Sequence, residues 1–221
     1  MNGGSMKIPW LVAFVVFVIP AGGYCAETLP KTMIHLIVKI SGTDIPAGSF
    51  AEKPKTIWRA SNSYCRSDEE PDPEQGLHLR TVMNEPDSWL VDLANNRAKH
   101  MVDPGPTFNC RMPMFAFNME MAKGKIGELE FGHELEFFEK NGAKQVDGPA
   151  LQSFKASYYK LMIGDMVLML VERVDIHVPI QITLLQGGKM TNVRYLLWED
   201  QVPFNVDLFA MPTGVKMEEV K

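Results

Sequence analysis

The segment Cys110–Met121 has an unusual set of side chains. It carries four methionines (Met112, Met114, Met119, Met121) and two phenylalanines (Phe115, Phe117) within ten residues. Thioether sulfur is soft and polarizable, so three chemistries are open to it. The segment can fill gaps in a core, or form a mobile lid over an apolar ligand. It can also bind copper(I), for which the Met-X-Met spacings of Met112/Met114 and Met119/Met121 supply soft ligands. Other metal chemistry finds little support. His35, His78, His100, His133 and His177 are scattered, with no His-Glu-X-X-His or comparable spacing. His100 with Asp103, or His133 with Glu134, are the pairs that folding could bring to a metal. The run Asp68, Glu69, Glu70, Asp72, Glu74 has oxygen donors but lacks the glycine placement of a known calcium loop, so it reads as a solvated turn. There is no nucleophile elbow, no phosphate-cradling glycine loop and no zinc cysteine quartet. A hydrolase would have to assemble its site from dispersed His, Asp and Glu. The expectation is a non-enzymatic protein with no cofactor.

Where this chemistry would operate is set by the first residues. A lone Lys7, the apolar run Ile8–Ile19 and the small-residue exit Pro20–Ala26 make a secretory signal peptide. The apolar run is shorter than the roughly 20 residues a membrane span needs. Cleavage near Ala26 leaves residues 27–221 as one β-rich domain, periplasmic or secreted. Cys25 raises lipidation as an alternative, against which the bulky Tyr24 argues. Cys65 and Cys110 then remain, and in an oxidising compartment an even pair suggests a disulfide; two buried thiols are the other reading. The net charge of −5, with no basic cluster, excludes the dense phosphate contacts of nucleic-acid binding. Taken over the whole chain, it also argues against electrostatic docking on anionic lipid.

The elements that must position these residues repeat every two residues. Met33–Ile40, Thr56–Arg66, Leu77–Met83, Trp89–Leu93 and Lys99–Val102 read as strands separated by turn-forming runs. Phe154–Ile163 and Met166–Val171 flank Gly164-Asp165. Asp175–Leu185 and Lys189–Trp198 flank Gly187-Gly188, so both pairs are hairpins of a meandering antiparallel sheet. Met166–Val171 is apolar on both faces and calls for cover on both. Glu128–Phe137 fits either a strand or a helix ending at Lys140-Asn141-Gly142, and the helix is favoured.

The order of these parts resembles the periplasmic lipoprotein-sorting and carrier superfamily of Gram-negative bacteria. The resemblance rests on Lys53-Pro54-Lys55 before an aromatic strand and on Trp89-Leu90-Val91-Asp92-Leu93 before a polar turn. It continues in Val178-Pro179-Ile180, Val193-Arg194-Tyr195 and the ending Phe209-Ala210-Met211-Pro212-Thr213-Gly214. It implies an α+β fold: a curved antiparallel sheet, or half-open β-barrel, with one or two helices packed on its concave face. It also implies a lipid or lipoprotein acyl chain as ligand and an envelope membrane protein as partner. The carriers' gating arginine would fall on Arg59 or Arg66. The residues expected to line the concavity are Trp58, Trp89, Val91, Leu93, Met112, Met114, Phe115, Phe117, Ile180, Ile182, Tyr195 and Leu197.

Overall fold

The computed structural model describes residues 29–105, 109–115, 121 and 123–219. The expected signal peptide lies outside these residues, as do Phe117 and Met119. The first strands are β1 (Thr32–Gly42), β2 (Lys55–Ala60), β3 (Tyr64–Glu69), β4 (Leu79–Asn84), β5 (Asp87–Asp92) and β6 (Arg97–Val102). After the segment around residues 103–143 come β7 (Lys144–Val146), β8 (Ala156–Ile163), β9 (Met166–Arg173), β10 (Val178–Gln186), β11 (Lys189–Pro203) and β12 (Lys216–Glu219). All twelve join one sheet, in the order β12-β6-β5-β4-β3-β2-β1-β11-β10-β9-β8-β7. The two late hairpins form as their turns dictate. Gly187 (φ 55°) and Gly188 (φ 77°) supply the left-handed pair that a two-residue turn requires, and Gln186 pairs with Lys189. Thr56–Arg66 is two strands, not one, because the chain turns at Ser61–Ser63, with Ser61 at φ 48°.

The expectation of an α+β half-barrel with helices on a concave face is overturned. The sheet is open and mixed, since β12 runs parallel to β6. The longest described helix, α1 (Glu134–Lys140), has seven residues. Short 3-10 turns lie at Phe50–Glu52, Lys125–Glu128 and Val206–Phe209, and Met121 and Lys123 are also helical. The helix favoured over Glu128–Phe137 exists only in its second half. Leu129–Phe131 is drawn out to pair with Met112–Met114: the Met114 N–H donates to the Leu129 carbonyl (2.8 Å) and the Phe131 N–H to that of Met112 (3.0 Å). Gly132, at φ 89°, then redirects the chain into α1.

Both faces of the sheet carry apolar clusters. Register assigns the sides, because directly paired residues point the same way. On the front face, Leu36, Ile57, Leu168, Leu170, Ile182 and Val193 are buried in one cluster with Cys110, Met112, Met114, Phe115, Ile126, Leu129, Phe131, Phe137 and Phe138. On the back face, Trp58, Arg66, Val82, Trp89 and His100 form one row across β2–β6. Phe204, Leu208 and Phe209 pack against this end of the back face. The expected single concave lining is therefore divided. Trp58, Trp89, Val91 and Leu93 belong to the back cluster, and Met112, Met114, Phe115, Ile182 and Tyr195 to the front one.

Two bulges explain the other misplacements. β1 and β11 shift register between Ile37/Leu197 and Val38/Tyr195, which makes Leu196 an extra residue. Leu197 consequently faces the back while Val193 and Tyr195 face the front. A similar shift between Pro179 and Gln181 puts Ile180 in a bulge, outside both clusters.

Val91 has no exposed surface and packs in the back cluster with Phe209. Val91→Gln is therefore expected to unfold or strongly destabilise the domain, since the unpaired amide alone costs about 1–3 kcal/mol beyond the lost packing. Thermal denaturation checks this. An unchanged midpoint would mean that Val91 lines an open site after all.

Candidate functional site

The covered front face encloses a small group of charged side chains. Arg59 lies on β2 with its side chain on the front face, because it pairs with Cys65 and Ile34. It is 4% exposed. Its Nη1 donates to Glu130 Oε2 (2.7 Å) and to the Phe131 carbonyl (3.2 Å), and Nη2 donates to the Cys110 carbonyl (3.2 Å). Arg111 Nε donates to the second Glu130 oxygen at 3.0 Å, and its Nη2 donates to the Gly127 carbonyl. Two arginines thus share one carboxylate and reach three carbonyls of the covering chain. A buried carboxylate tolerates desolvation only with such pairing.

Glu134, the first residue of α1, has no exposed surface. Its Oε1 accepts the Tyr195 hydroxyl and the Gly132 N–H (2.8 Å), while Oε2 is buried without a hydrogen-bond partner. Burial pushes the Glu134 carboxyl up to about 7, against the opposing pull of the Tyr195 hydroxyl, the Gly132 N–H and the Arg59 charge. The Tyr195 hydroxyl is raised well above its ordinary value, first by burial and then by Glu134. Gly132 makes this approach possible. A Cβ there would lie 3.3 Å from Ile34 Cδ1 and 3.8 Å from Arg59 Cδ, on a backbone already in the left-handed region.

Cys65 and Cys110 are joined, with Cα atoms 6.3 Å apart. The bond ties β3 to the start of the covering segment, beside Arg59. Cys110→Ser is expected to cost about 2–4 kcal/mol. Non-reducing peptide mapping should find the linked pair, and two alkylatable thiols in acid-quenched protein would contradict it.

Of the two arginines allowed by the resemblance, Arg66 faces the back. It pairs with Asp68 at 2.7 Å, lies 4.9 Å from the Trp58 ring and donates to the Leu208 carbonyl. The other candidate groupings do not converge on a ligand. His133 Nδ1 bonds Glu136 (2.9 Å) while Glu134 turns to Tyr195. His100 bonds Asp87 (2.7 Å) and stacks on Trp89, whereas Asp103 accepts from the Gly105 N–H. The acidic run is less solvated than expected: Asp68 bridges Arg66 and Arg80, and Asp72 is buried, accepting the N–H groups of Glu74 and Gln75. Met112 and Met114 pack in the front cluster among Phe115, Leu129 and Phe131. Among the described residues no cluster of His, Cys, Asp and Glu could hold a metal ion. The sequence reading passed over Glu130 and weighed Glu134 only as a metal partner of His133. Both carboxylates sit in a run of glutamates that has the composition of a solvated face; the bridge to Pro113 brings Glu130 to Arg59 and Arg111, and the break at Gly132 brings Glu134 to Tyr195.

The sequence matches no family model and no curated protein. Among solved structures, the fold is similar to an uncharacterized conserved protein from Thermus thermophilus, with 10% identity, a TM-score of 0.50, and 86% of this chain and 91% of that one covered. PNGF-II is similar at 9% identity and a TM-score of 0.36, over 86% of this chain and 32% of that protein. A LolA superfamily protein from Nitrosomonas europaea, NE2245, is similar at 10% identity and a TM-score of 0.37, over 82% and 91%. The Thermus similarity speaks to a shared fold. The LolA protein is a distant likeness only.

Proposed function

We propose that this protein binds a lipid, a lipoprotein acyl chain or another apolar ligand between the front sheet face and the cover formed by Cys110–Phe115 and Ile126–Phe131, and carries it without chemical change. The observation that carries this reading is the construction of the cover. Met112, Met114, Phe115 and Phe131 pack onto the sheet face, yet their backbone pairs with the rest of the fold through little regular structure. The cover's described ties to β2, β3 and the turn between them are the Cys65–Cys110 disulfide, the Cys110 N–H donated to the Asn62 carbonyl (2.6 Å), and the bonds of Arg59 to Glu130 and to the Cys110 and Phe131 carbonyls. A ligand would need to displace flexible side chains rather than unzip strands, and methionine suits that exchange. Affinity would come from buried apolar area, at about 25 cal/mol per Å². The buried charges would serve to hold the cover, not to turn over a substrate. The reading places the protein outside the cytoplasm, on the strength of the Ile8–Ile19 segment and the Cys65–Cys110 pair.

Native mass spectrometry of the protein purified from its own host, followed by organic extraction, tests the proposal. The expected result is a bound lipid or fatty-acyl mass. Bound copper in its place, or no bound mass together with no uptake of a fluorescent acyl probe after delipidation, would overturn it.

A further inference from the structure

The back face behind β8–β11 differs from the rest of the molecule. Over Met166–Val171, β9 is apolar on both sides; its front residues Leu168 and Leu170 are buried, whereas its back residues Val167, Met169 and Val171 are half-buried and belong to neither apolar cluster. Met162, Val167, Leu185 and Met190 are register partners across β8, β9, β10 and β11, nearest the hairpin turns. Met162 is 62% exposed, Leu185 39% and Met190 42%. Lys160 stands on the next row and Arg194 on the one after. Neither is paired with an acid among the described residues. In a chain of net charge −5, no acidic side chain stands on these three rows. The surrounding acids lie at the margins. Asp165 is at the β8–β9 turn and accepts from Gln186 (3.5 Å), Asp44 is neutralised by Lys189 (2.7 Å), and Glu199 bonds His35. Lys39, also on this side, pairs with Glu52.

We propose that this patch docks on the surface of an anionic lipid bilayer. The apolar row enters the headgroup boundary and Lys160 and Arg194 lie against lipid phosphates. The ordering matches a bilayer, with apolar side chains leading and cations behind them. β9, β10 and β11 each lie between two other strands, so over most of the patch no free edge is offered to a peptide strand. The whole-chain acidity conceals this local complementarity, since screening limits distant charges to a Debye length of about 8–10 Å. The patch is on the opposite face from the proposed ligand site, so the two readings stand or fall separately.

Vesicle sedimentation tests it, using the protein as its host produces it and phosphatidylcholine vesicles with or without phosphatidylglycerol. The parent should bind the anionic vesicles, and about 0.5 M salt should weaken that binding. Lys160→Glu with Arg194→Glu should weaken it roughly tenfold or more. Met162→Glu with Met190→Glu should do at least as much. Both double variants alter exposed residues and should keep the parent's near-ultraviolet circular dichroism. Unchanged binding in both variants, equal binding to neutral and anionic vesicles, or equally strong capture by soluble polyglutamate would each overturn the proposal, the last in favour of an acidic protein partner.

Discussion

Arg59→Met is expected to remove about 3–5 kcal/mol of stability. Methionine can replace the arginine stem against Ile34 and Gly132, so the loss is mainly electrostatic. Glu130 would keep only Arg111, whose side chain is 35% exposed, and the Phe131 and Cys110 carbonyls would lose their shared donor. Breaking one side of a buried ion pair is costly because the other charge stays behind. The double change Arg59→Met with Glu130→Met should recover much of the loss, since it leaves no such charge. Urea denaturation of both variants measures this. A loss below about 1 kcal/mol for the single change would mean that the pair behaves like an exposed one and does not hold the cover.

Glu134 should make the protein less stable as the pH rises, the reverse of the usual carboxylate. Its folded value of about 7 lies above the ordinary 4.5, so the folded chain keeps a proton that the unfolded chain releases. Its contribution is fully present below pH 4.5, declines as the pH climbs through about 7, and is level beyond that. The span is worth on the order of 3 kcal/mol. Asp68 and Asp92 have lowered values and act in the opposite direction at acid pH, where protonation removes their pairing with Arg66, Arg80, Asn95 and Arg97. The difference between the parent and Glu134→Gln isolates Glu134, because every other group titrates in both proteins. Denaturant midpoints between pH 5 and pH 8 should fall in the parent relative to the variant. Parallel profiles would show that Glu134 ionises normally despite its burial.

Much of the sheet was legible because turn chemistry is local. Gly164-Asp165 and Gly187-Gly188 each announce a hairpin, and both form. Which face a residue takes was not legible beyond a single strand. The period of two alternates sides faithfully until a bulge shifts the count. The extra residue at Leu196 has no glycine or proline beside it to mark the shift. Ile180 does follow Pro179, but a proline there also fits the start of an ordinary strand. Trp89 and Val91 were paired with the methionine segment on apolar character alone, and register places them on the other side. β12 was not foreseen: Lys216-Met217-Glu218-Glu219 has no strand-like composition and is held by parallel pairing with β6. The inward pairing of the two buried carboxylates was missed for a related reason. Inward placement of Glu130 and Glu134 depends on arginines and a tyrosine, and no spacing rule connects Arg59 or Tyr195 with them.

The central claim is that an apolar chain enters between the front sheet face and the cover formed by Cys110–Phe115 and Ile126–Phe131. Photolabelling with a diazirine-bearing fatty acid, followed by peptide mapping, tests it most directly. The account predicts saturable labelling of Met112–Phe115 and of the β9–β10 residues beneath them, such as Leu168, Leu170 and Ile182, with excess unlabelled fatty acid competing. Label confined to the back face, whether at Trp89 and Val91 or at Met162 and Met190, or no saturable label at all, would contradict it.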